Sequence, residues 1–584
     1  MDNVGEIKRS NHETASTENV RTRAGRISKP TTRLIAAETL FQEESEEYVH
    51  PMENQVDTLN YSQMKKAEDR KDFQKAMKDE VRAHETAGHW KVIDRSEVPA
   101  GKKVLPCVWA FKRKRKIATG QIYKHKARLN LDGRYQTEGV DYWKTYAPVV
   151  RWSTIRLCLI LAYIRGWSSR KLDFVQAYTQ AKAEVPMYMK VPAGFTYGAN
   201  KVLQLEANLY GSKQAGHIWN KLLDCNLKEM GYKQSTVDQC MYLKEDSIIL
   251  VYVDDMLILS KEANLYEKLL EELKVRKFEV SDEGNLEEYL GVEFRRVEGN
   301  KVSMSQPQVI QSILLDLGYR EGTKTKSTPV ISSELLHKDP DGKVGTKEWN
   351  YRSVCGKLNY LEASSRPDLA FAVHQVSRFM ESPRESHIAA VNRIGRYLAG
   401  TQERGLIFNP EEIGFEVWTD ADWIGSWKAP DNDYNATTAK SRSGAIIMFA
   451  GCPIIWSSKL QSEIALSSTE AEYIALSSVM KEVIPLLDLC EELKGTHLLE
   501  LTLTPTVKCT VFEDNVGAIE IAKVPKMRPR TKYINAKYHH FRRWVALGKV
   551  VLQYVPSKEQ LADVLTKPLP EEEFVKLRQK IMGW

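Results

Sequence analysis

Thirteen residues from Ile248 to Ser260, IILVYVDDMLILS, constrain this chain more than any other stretch. Two aliphatic runs flank Tyr252-Val253-Asp254-Asp255, and residues of that kind pack as buried strands. The break between them predicts a tight β-hairpin. Adjacent carboxylates at a turn can serve as polar punctuation alone. Here they sit between two strands that belong in a core, where an ionised carboxylate is costly unless a cation compensates it. Two divalent ions about 3.5–4 Å apart, which activate a hydroxyl and stabilise a leaving pyrophosphate in nucleotidyl transfer, would compensate both. Hydrolases and polymerases share that apparatus, so a further acid on another strand is required. Asp173 in Lys171-Leu172-Asp173-Phe174-Val175-Gln176-Ala177-Tyr178 supplies it after the apolar segment that opens at Trp167, with an aromatic five residues beyond.

More motifs stand in order around these acids: Lys126-Ala127-Arg128-Leu129, Gly139-Val140-Asp141-Tyr142 and Tyr146-Ala147-Pro148-Val149-Val150-Arg151 before them. Leu209-Tyr210-Gly211-Ser212-Lys213-Gln214-Ala215, with Trp219 behind it, and Tyr289-Leu290-Gly291-Val292 complete the series. Together they resemble the Pol polyprotein of copia-type LTR retrotransposons, in its reverse transcriptase plus ribonuclease H portion, over residues 75–575. The resemblance implies an α/β (α+β) architecture: right-hand fingers, palm and thumb, a helical connection and a C-terminal ribonuclease H-like α/β domain.

It also implies roles. Asp173, Asp254 and Asp255 would be catalytic and metal-binding, Asp173 and Asp254 ligating both ions and Asp255 beside them tuning the site. Lys126, Arg128, Tyr178 and Gln214 would bind the nucleotide, the two cations reaching the triphosphate. Tyr178 taken alone reads as a core aromatic; as the family's residue beneath the incoming sugar it would clash with a 2′-hydroxyl and select deoxynucleotides. From Lys102 to Arg128 there are ten Lys or Arg and no acid, a local positive field suited to phosphate. The run Lys112-Arg113-Lys114-Arg115-Lys116 fits a nuclear-import signal or a nucleic-acid patch. A turn at Ala118-Thr119-Gly120-Gln121 and a returning strand from Ile122 favour a fingers hairpin over the template. The chain departs from the family pattern at Asn130-Leu131-Asp132-Gly133-Arg134, Gln180-Ala181-Lys182, Ser212 and Gly216-His217, none of which removes a metal ligand.

A second set of acids lies in the C-terminal third. Val417-Trp418-Thr419-Asp420 ends a strand, and two paired strands follow at 444–449 and 453–456. Ser467-Ser468-Thr469 offers N-caps for a helix carrying Glu470 and Glu472. Two apart, these face different sides, so only one can point at a common site. Asp514 follows the strand Val511-Phe512-Glu513, and Asp563 opens a helix after the strand Val551 to Pro556. The order Asp, Glu, Asp, Asp resembles ribonuclease H and selects Asp420, Glu472, Asp514 and Asp563 as catalytic and metal-binding. His539 and His540 stand where the family carries a His, their role open; Tyr533 and Asn535 replace the usual His and Asp.

At 584 residues the chain holds about three or four domains. The resemblance divides it into a mostly disordered tether (1–75), fingers, palm and thumb (76–325), linker and connection (326–412) and the ribonuclease H-like domain (413–575). Residues 325–345 read as linker, Tyr351 to Thr401 as packing helices, and Arg21 to Arg33 as part of the tether. Eight scattered cysteines form no Cys-x-x-Cys pair, which supports neither a zinc site nor a disulfide framework and fits a reducing setting. No apolar run approaches the roughly 18 residues of a membrane span. Leu157 to Ile164 comes nearest and reads as a buried helix, so no membrane partner is expected.

The expected cofactor is Mg²⁺, two ions per site, with Mn²⁺ as an alternative. The expected partners are RNA template, DNA primer, RNA–DNA hybrid and deoxynucleoside triphosphates, then integrase and capsid-type proteins of the same or another element. The expected location is cytoplasmic and particle-associated, with the nucleus as a further one. No protease Asp-Ser/Thr-Gly, integrase zinc module or nucleocapsid knuckle stands in the sequence. The rival reading is a decayed or domesticated copy that binds nucleic acid without catalysis, or one active only as ribonuclease H.

Overall fold

The computed structural model describes residues 57–115, 121–298, 301–331, 335–345, 349–428, 436–499, 507–524 and 533–584. The hairpin forms where the aliphatic runs place it. Ser247–Tyr252 and Asp255–Ser260 pair antiparallel, with Tyr252 opposite Asp255. Val253, first residue of the two-residue turn, adopts φ 58°, which a β-branched side chain rarely tolerates. The Trp219 indole N–H donates to the Val253 carbonyl at 2.8 Å and pins that turn.

Around the hairpin a six-stranded sheet runs in the order Val280–Asn285, Ser168–Phe174, Asp255–Ser260, Ser247–Tyr252, Met241–Lys244, Lys233–Gln234. The helix Trp152–Arg165 packs on this sheet and also against the strand Cys452–Leu460 of the C-terminal region. Covered from two sides, it is buried from Thr154 to Ala162, as a helix apolar all round must be.

The expected fingers form a ribbon, Cys107–Arg115 paired with Ile122–Leu131, extended by Thr58–Asn60. The tether boundary at 75 is corrected here: residues 57–75 belong to this unit, and residues 1–56, including the Arg21 to Arg33 stretch, lie outside the described residues. Composition had concealed a small apolar set. Met64, Phe73, Met77 and Val81 bury against Trp109, Phe111 and Leu129, while Asp57 pairs with Arg115 and Asp69 with Arg113. Asn60 and Gln63 form a reciprocal cap for the helix Tyr61–Lys66.

Lys301–Ser305 leads into the helix Pro307–Asp316, the strand and helix that the apolar pattern predicts there. Its sheet, Glu288–Tyr289, Val292–Val297, Lys301–Ser305, is completed by Leu406–Phe408. Packing therefore crosses the line drawn at 325/326. The connection is helical over Tyr351–Ser365, Ala370–Ser377 and Glu385–Ala399.

The C-terminal sheet has the order Cys452–Leu460, Arg442–Phe449, Phe415–Asp422, Cys509–Glu513, Val551–Tyr554. Its first three strands pair antiparallel and its last two join in parallel. The final helix Glu571–Met582 continues past 575, and the Trp584 indole donates to Gly405 O at 2.7 Å. The two acid-bearing regions are docked by specific polar contacts. Arg156 donates to the carbonyls of Ile454, Ala363 and Ser364 and stacks on Trp456. Glu492 accepts from Ser235 and Thr236, and His497 meets Asp246 at 2.6 Å.

Candidate active sites

Strand register builds the first centre. Asp173 and Asp255 are direct partners on antiparallel strands, so their side chains share a face. Asp254 sits in the adjoining turn, its carbonyl accepting from Phe174 N at 2.9 Å. On the far side of the Asp173 strand, Ser281 lies opposite Asp173 and Glu283 adds negative charge. Burial, then Asp254 and Asp255, pushes the Asp173 carboxyl up to about 6. Burial and Asp255 also raise Asp254, with Arg128 and Lys126 acting the other way. The fingers cations thus reach the carboxylates electrostatically. Crowded hard oxygens short of positive charge suit Mg²⁺ or Mn²⁺.

Alternation along the ribbon sorts the basic run into two faces. Lys112 and Lys126 are partners, as are Lys114 and Lys124, and Arg128 continues the same face. On the other face Asp69 accepts from Arg113 and contacts His125, and Asp57 accepts from Arg115. Lys116 and the turn expected at 118–121 fall mainly outside the described residues. Burial, then Arg128 and Lys114, brings the Lys126 ammonium down to about 8. The Arg128 guanidinium lies 3.9 Å over the Tyr210 ring, whose centroid is 4.8 Å from that of Tyr178.

Gln214 is not brought to this group. Only 5% exposed, it accepts from Gln136 at 2.9 Å and turns its amide nitrogen to the Met187 sulfur. The physical reason is its place just before the helix Ala215–Glu229, where the side chain points into the core.

The departures from the family pattern are accommodated. A Cβ on Gly133 would fall 2.2 Å from Gly211 O, and one on Gly211 2.2 Å from Leu131 O. The two altered loops therefore pack backbone to backbone, with Leu131 N donating to Tyr210 O at 2.8 Å. Gln180 donates to Val175 O and Glu279 O and accepts from Glu279 N, stitching the loop after Asp173 to the next strand. At Gly216 a Cβ would come within 3.5 Å of the Tyr178 hydroxyl, so its absence leaves that ring room.

The second centre is deeper. Asp420, Glu472 and Asp514 bring carboxylate oxygens within 4.8 Å of one another. Ser467 caps the helix Ser468–Leu493 by accepting from Glu470 N. The Glu470 carboxylate turns back to accept from Leu466 N at 2.7 Å, leaving Glu472 as the inward acid. Glu472 Oε2 is buried and has no hydrogen-bond partner among the described residues. Burial, then Glu513, Asp420 and Asp514, pushes that carboxyl far up. An orphaned carboxylate oxygen in a largely buried acidic cluster fits a divalent cation. Asp563 stands at the edge of the trio, 2.7 Å from Lys567 Nζ, which also lies 3.6 Å from Asp420. Thr566 donates to Asp420. Gly444, directly opposite Asp420, admits this segment: a Cβ there would meet Thr566 Cγ2 at 2.6 Å and Leu565 Cβ at 2.9 Å.

A family model described as reverse transcriptase (RNA-dependent DNA polymerase) matches residues 88–332. The chain is 34% identical over 522 residues to the retrovirus-related Pol polyprotein from transposon TNT 1-94 of Nicotiana tabacum, covering 87% of this chain and 37% of that protein. The chain belongs to the copia-type Pol family. The Pol polyprotein from transposon RE1 of Arabidopsis thaliana is likewise 34% identical, covering 87% of this chain and 34% of the relative. This copia-type chain thus spans about a third of the length of these curated relatives. Among solved structures, a foamy viral protease-reverse transcriptase in complex with double-stranded DNA aligns at TM-score 0.42 and 12% identity, over 82% of this chain and 69% of that one.

Several residues of this copia-type chain escaped the sequence reading. Lys171 ion-pairs with Asp255, Glu283 acts electrostatically on Asp173 and Glu513 on Glu472, and Lys567 bridges Asp420 and Asp563. Lys171 lies two residues before Asp173 on a strand and Lys567 one turn after Asp563, so periodicity around each assigned acid was the available signal. His539 and His540 face the Glu472 helix, not the acids: His539 contacts the Tyr473 hydroxyl at 2.8 Å and His540 the Ser477 carbonyl at 3.1 Å.

Proposed function

We propose that the chain is an RNA-directed DNA polymerase joined to a ribonuclease H acting on RNA–DNA hybrids, each centre working with two divalent ions. The observation that carries this reading is the meeting of Asp173, Asp254 and Asp255 at one end of two paired interior strands, within electrostatic reach of Lys126 and Arg128. Mg²⁺ or Mn²⁺ bound at each centre would lower the pKa of the attacking hydroxyl or water and offset charge developing at phosphorus.

The chain's own residues do the rest. Asp173 and Asp254 hold ions at the primer terminus, and Lys126 and Arg128 neutralise the triphosphate. Tyr178, braced by Tyr210, stands beside the incoming sugar and excludes a 2′-hydroxyl. The Lys112, Lys114, Lys124 face follows the template backbone. In the second centre Asp420, Glu472 and Asp514 form the metal-binding trio, with Asp563 at its rim, set against the RNA strand of a hybrid. Integrase and capsid-type proteins remain the expected assembly partners from the Pol context.

Primer extension by the purified chain on an RNA template, with Mg²⁺ and separately Mn²⁺, tests the reading, Asp254→Asn serving as the blank. Extension that vanishes in the blank upholds it. A folded protein that binds hybrid yet never extends a primer sinks the polymerase half; cleavage of the hybrid then decides between a ribonuclease H and a non-catalytic copy.

A further inference from the structure

Lys171 has no part in the assignment of metal ligands, yet strand geometry places it among them. Asp173 and Asp255 face each other across paired strands, and like charges directly opposite destabilise a sheet. Lys171 projects on the same face, two residues earlier. Its Nζ lies 3.1 Å from Asp255 Oδ1, both side chains being 23% exposed. Glu283 and Glu288 are the next acids that act on it. A half-buried pair of this kind is screened less than a surface one. We propose that Lys171 is a positioning residue of the polymerase centre: it takes up the charge of Asp255 and draws that carboxylate along the strand, leaving Asp173 and Asp254 as the pair that holds metal.

The charge balance supports the assignment. Three carboxylates clustered across the hairpin and its neighbouring strand would carry three negative charges where two ligands suffice, and the ammonium reduces the net to two. The geometry supplies a direction as well. The ion pair reaches back along the strand from Asp255 towards position 171, whereas Asp254 is tied by its carbonyl to Phe174 N at the front of the sheet. A cation fixed here also competes with metal for Asp255, which makes the ammonium a brake on divalent affinity.

The inference rests on the polymerase reading, and the test separates the two. Mn²⁺ binding would be followed by electron paramagnetic resonance of the free ion, using the full chain with Asp420→Asn and Asp514→Asn to silence the second centre. Lys171→Met should bind Mn²⁺ about 3–10-fold more tightly, because a positive charge a few ångströms away is gone. Extension at saturating Mn²⁺ should slow about tenfold with little change in nucleotide KM, since Asp255 now enters the metal site. Lys171→Arg should restore both quantities. Lys171→Gln covers a failure of the Met variant to fold, and Lys171→Gln with Asp255→Asn should return Mn²⁺ affinity to within about twofold of the Asp255→Asn single variant. Unchanged affinity and rate in Lys171→Met overturn the assignment while the polymerase reading stands. Affinities that follow this pattern in a chain that never extends a primer uphold the assignment and remove the polymerase reading.

Discussion

The two carboxylate centres solve one electrostatic problem in different ways. The first set of acids lies at and beside a hairpin turn, partly exposed, with Lys171 on Asp255 and Arg128 and Lys126 acting on Asp254. The C-terminal acids lie deeper: Asp420 is 1% exposed, Glu472 keeps an unpartnered oxygen, and Lys567 is the cation bridging Asp420 and Asp563. A turn can project acids into solvent, whereas strand ends beneath a long helix must bury theirs. Burial penalises each uncompensated charge, so the deeper centre is the one expected to respond more to removal of divalent cations.

The sharpest break is by single acids. Asp254→Ala should cut primer extension at least about a thousandfold, roughly 4 kcal/mol of barrier, and leave hybrid cleavage within about twofold. Asp514→Ala should do the reverse. Both assays on one preparation decide it, and a variant that lost both activities would show that the centres are not independent.

Gly444→Ala strikes the second centre alone. The added methyl meets Thr566, Leu565 and Ala562, an overpacking that should cost about 1–3 kcal/mol in denaturant unfolding. Hybrid cleavage should fall with it while extension persists.

Acidity distinguishes the centres further. The Asp173 carboxyl is raised to about 6 in the folded protein, against an ordinary value near 4 when unfolded. Between those values the folded chain holds the extra proton, so metal-free stability should be highest below pH 4 for this group and decline as pH rises through 6. Thermal melts in chelator should show that decline flattened in Asp173→Asn and reversed by Mg²⁺. The smallest effect is expected at His539. Its bond to Tyr473 secures a helix and not an acid, so His539→Ala should cost about 1 kcal/mol of stability and change cleavage less than about threefold.

Where a feature depends on neighbours in sequence, it was legible. The 248–260 hairpin, the cap at Ser467 and the buried helix around Leu157 follow from side-chain pattern within one element. The inward choice of Glu472 over Glu470 also has a local cause, since Glu470 is spent on capping its own helix. The inward turn of Gln214 was not legible, because a motif position does not reveal whether a side chain turns to the solvent or to Met187. The order at 57–75 was hidden because its stabilising partners, Arg113 and Arg115, lie some fifty residues away.

The sequence by itself determined which acids this copia-type chain presents and the elements that carry them, because strand and helix periods are set by adjacent residues. Only the tertiary structure decided how their charge is shared. Lys171 reaches Asp255 through pairing of strands more than eighty residues apart, and the Asp563 segment reaches Asp420 over a glycine on a third element. Coulomb interactions depend on distance through space, and that distance exists only once the chain is folded.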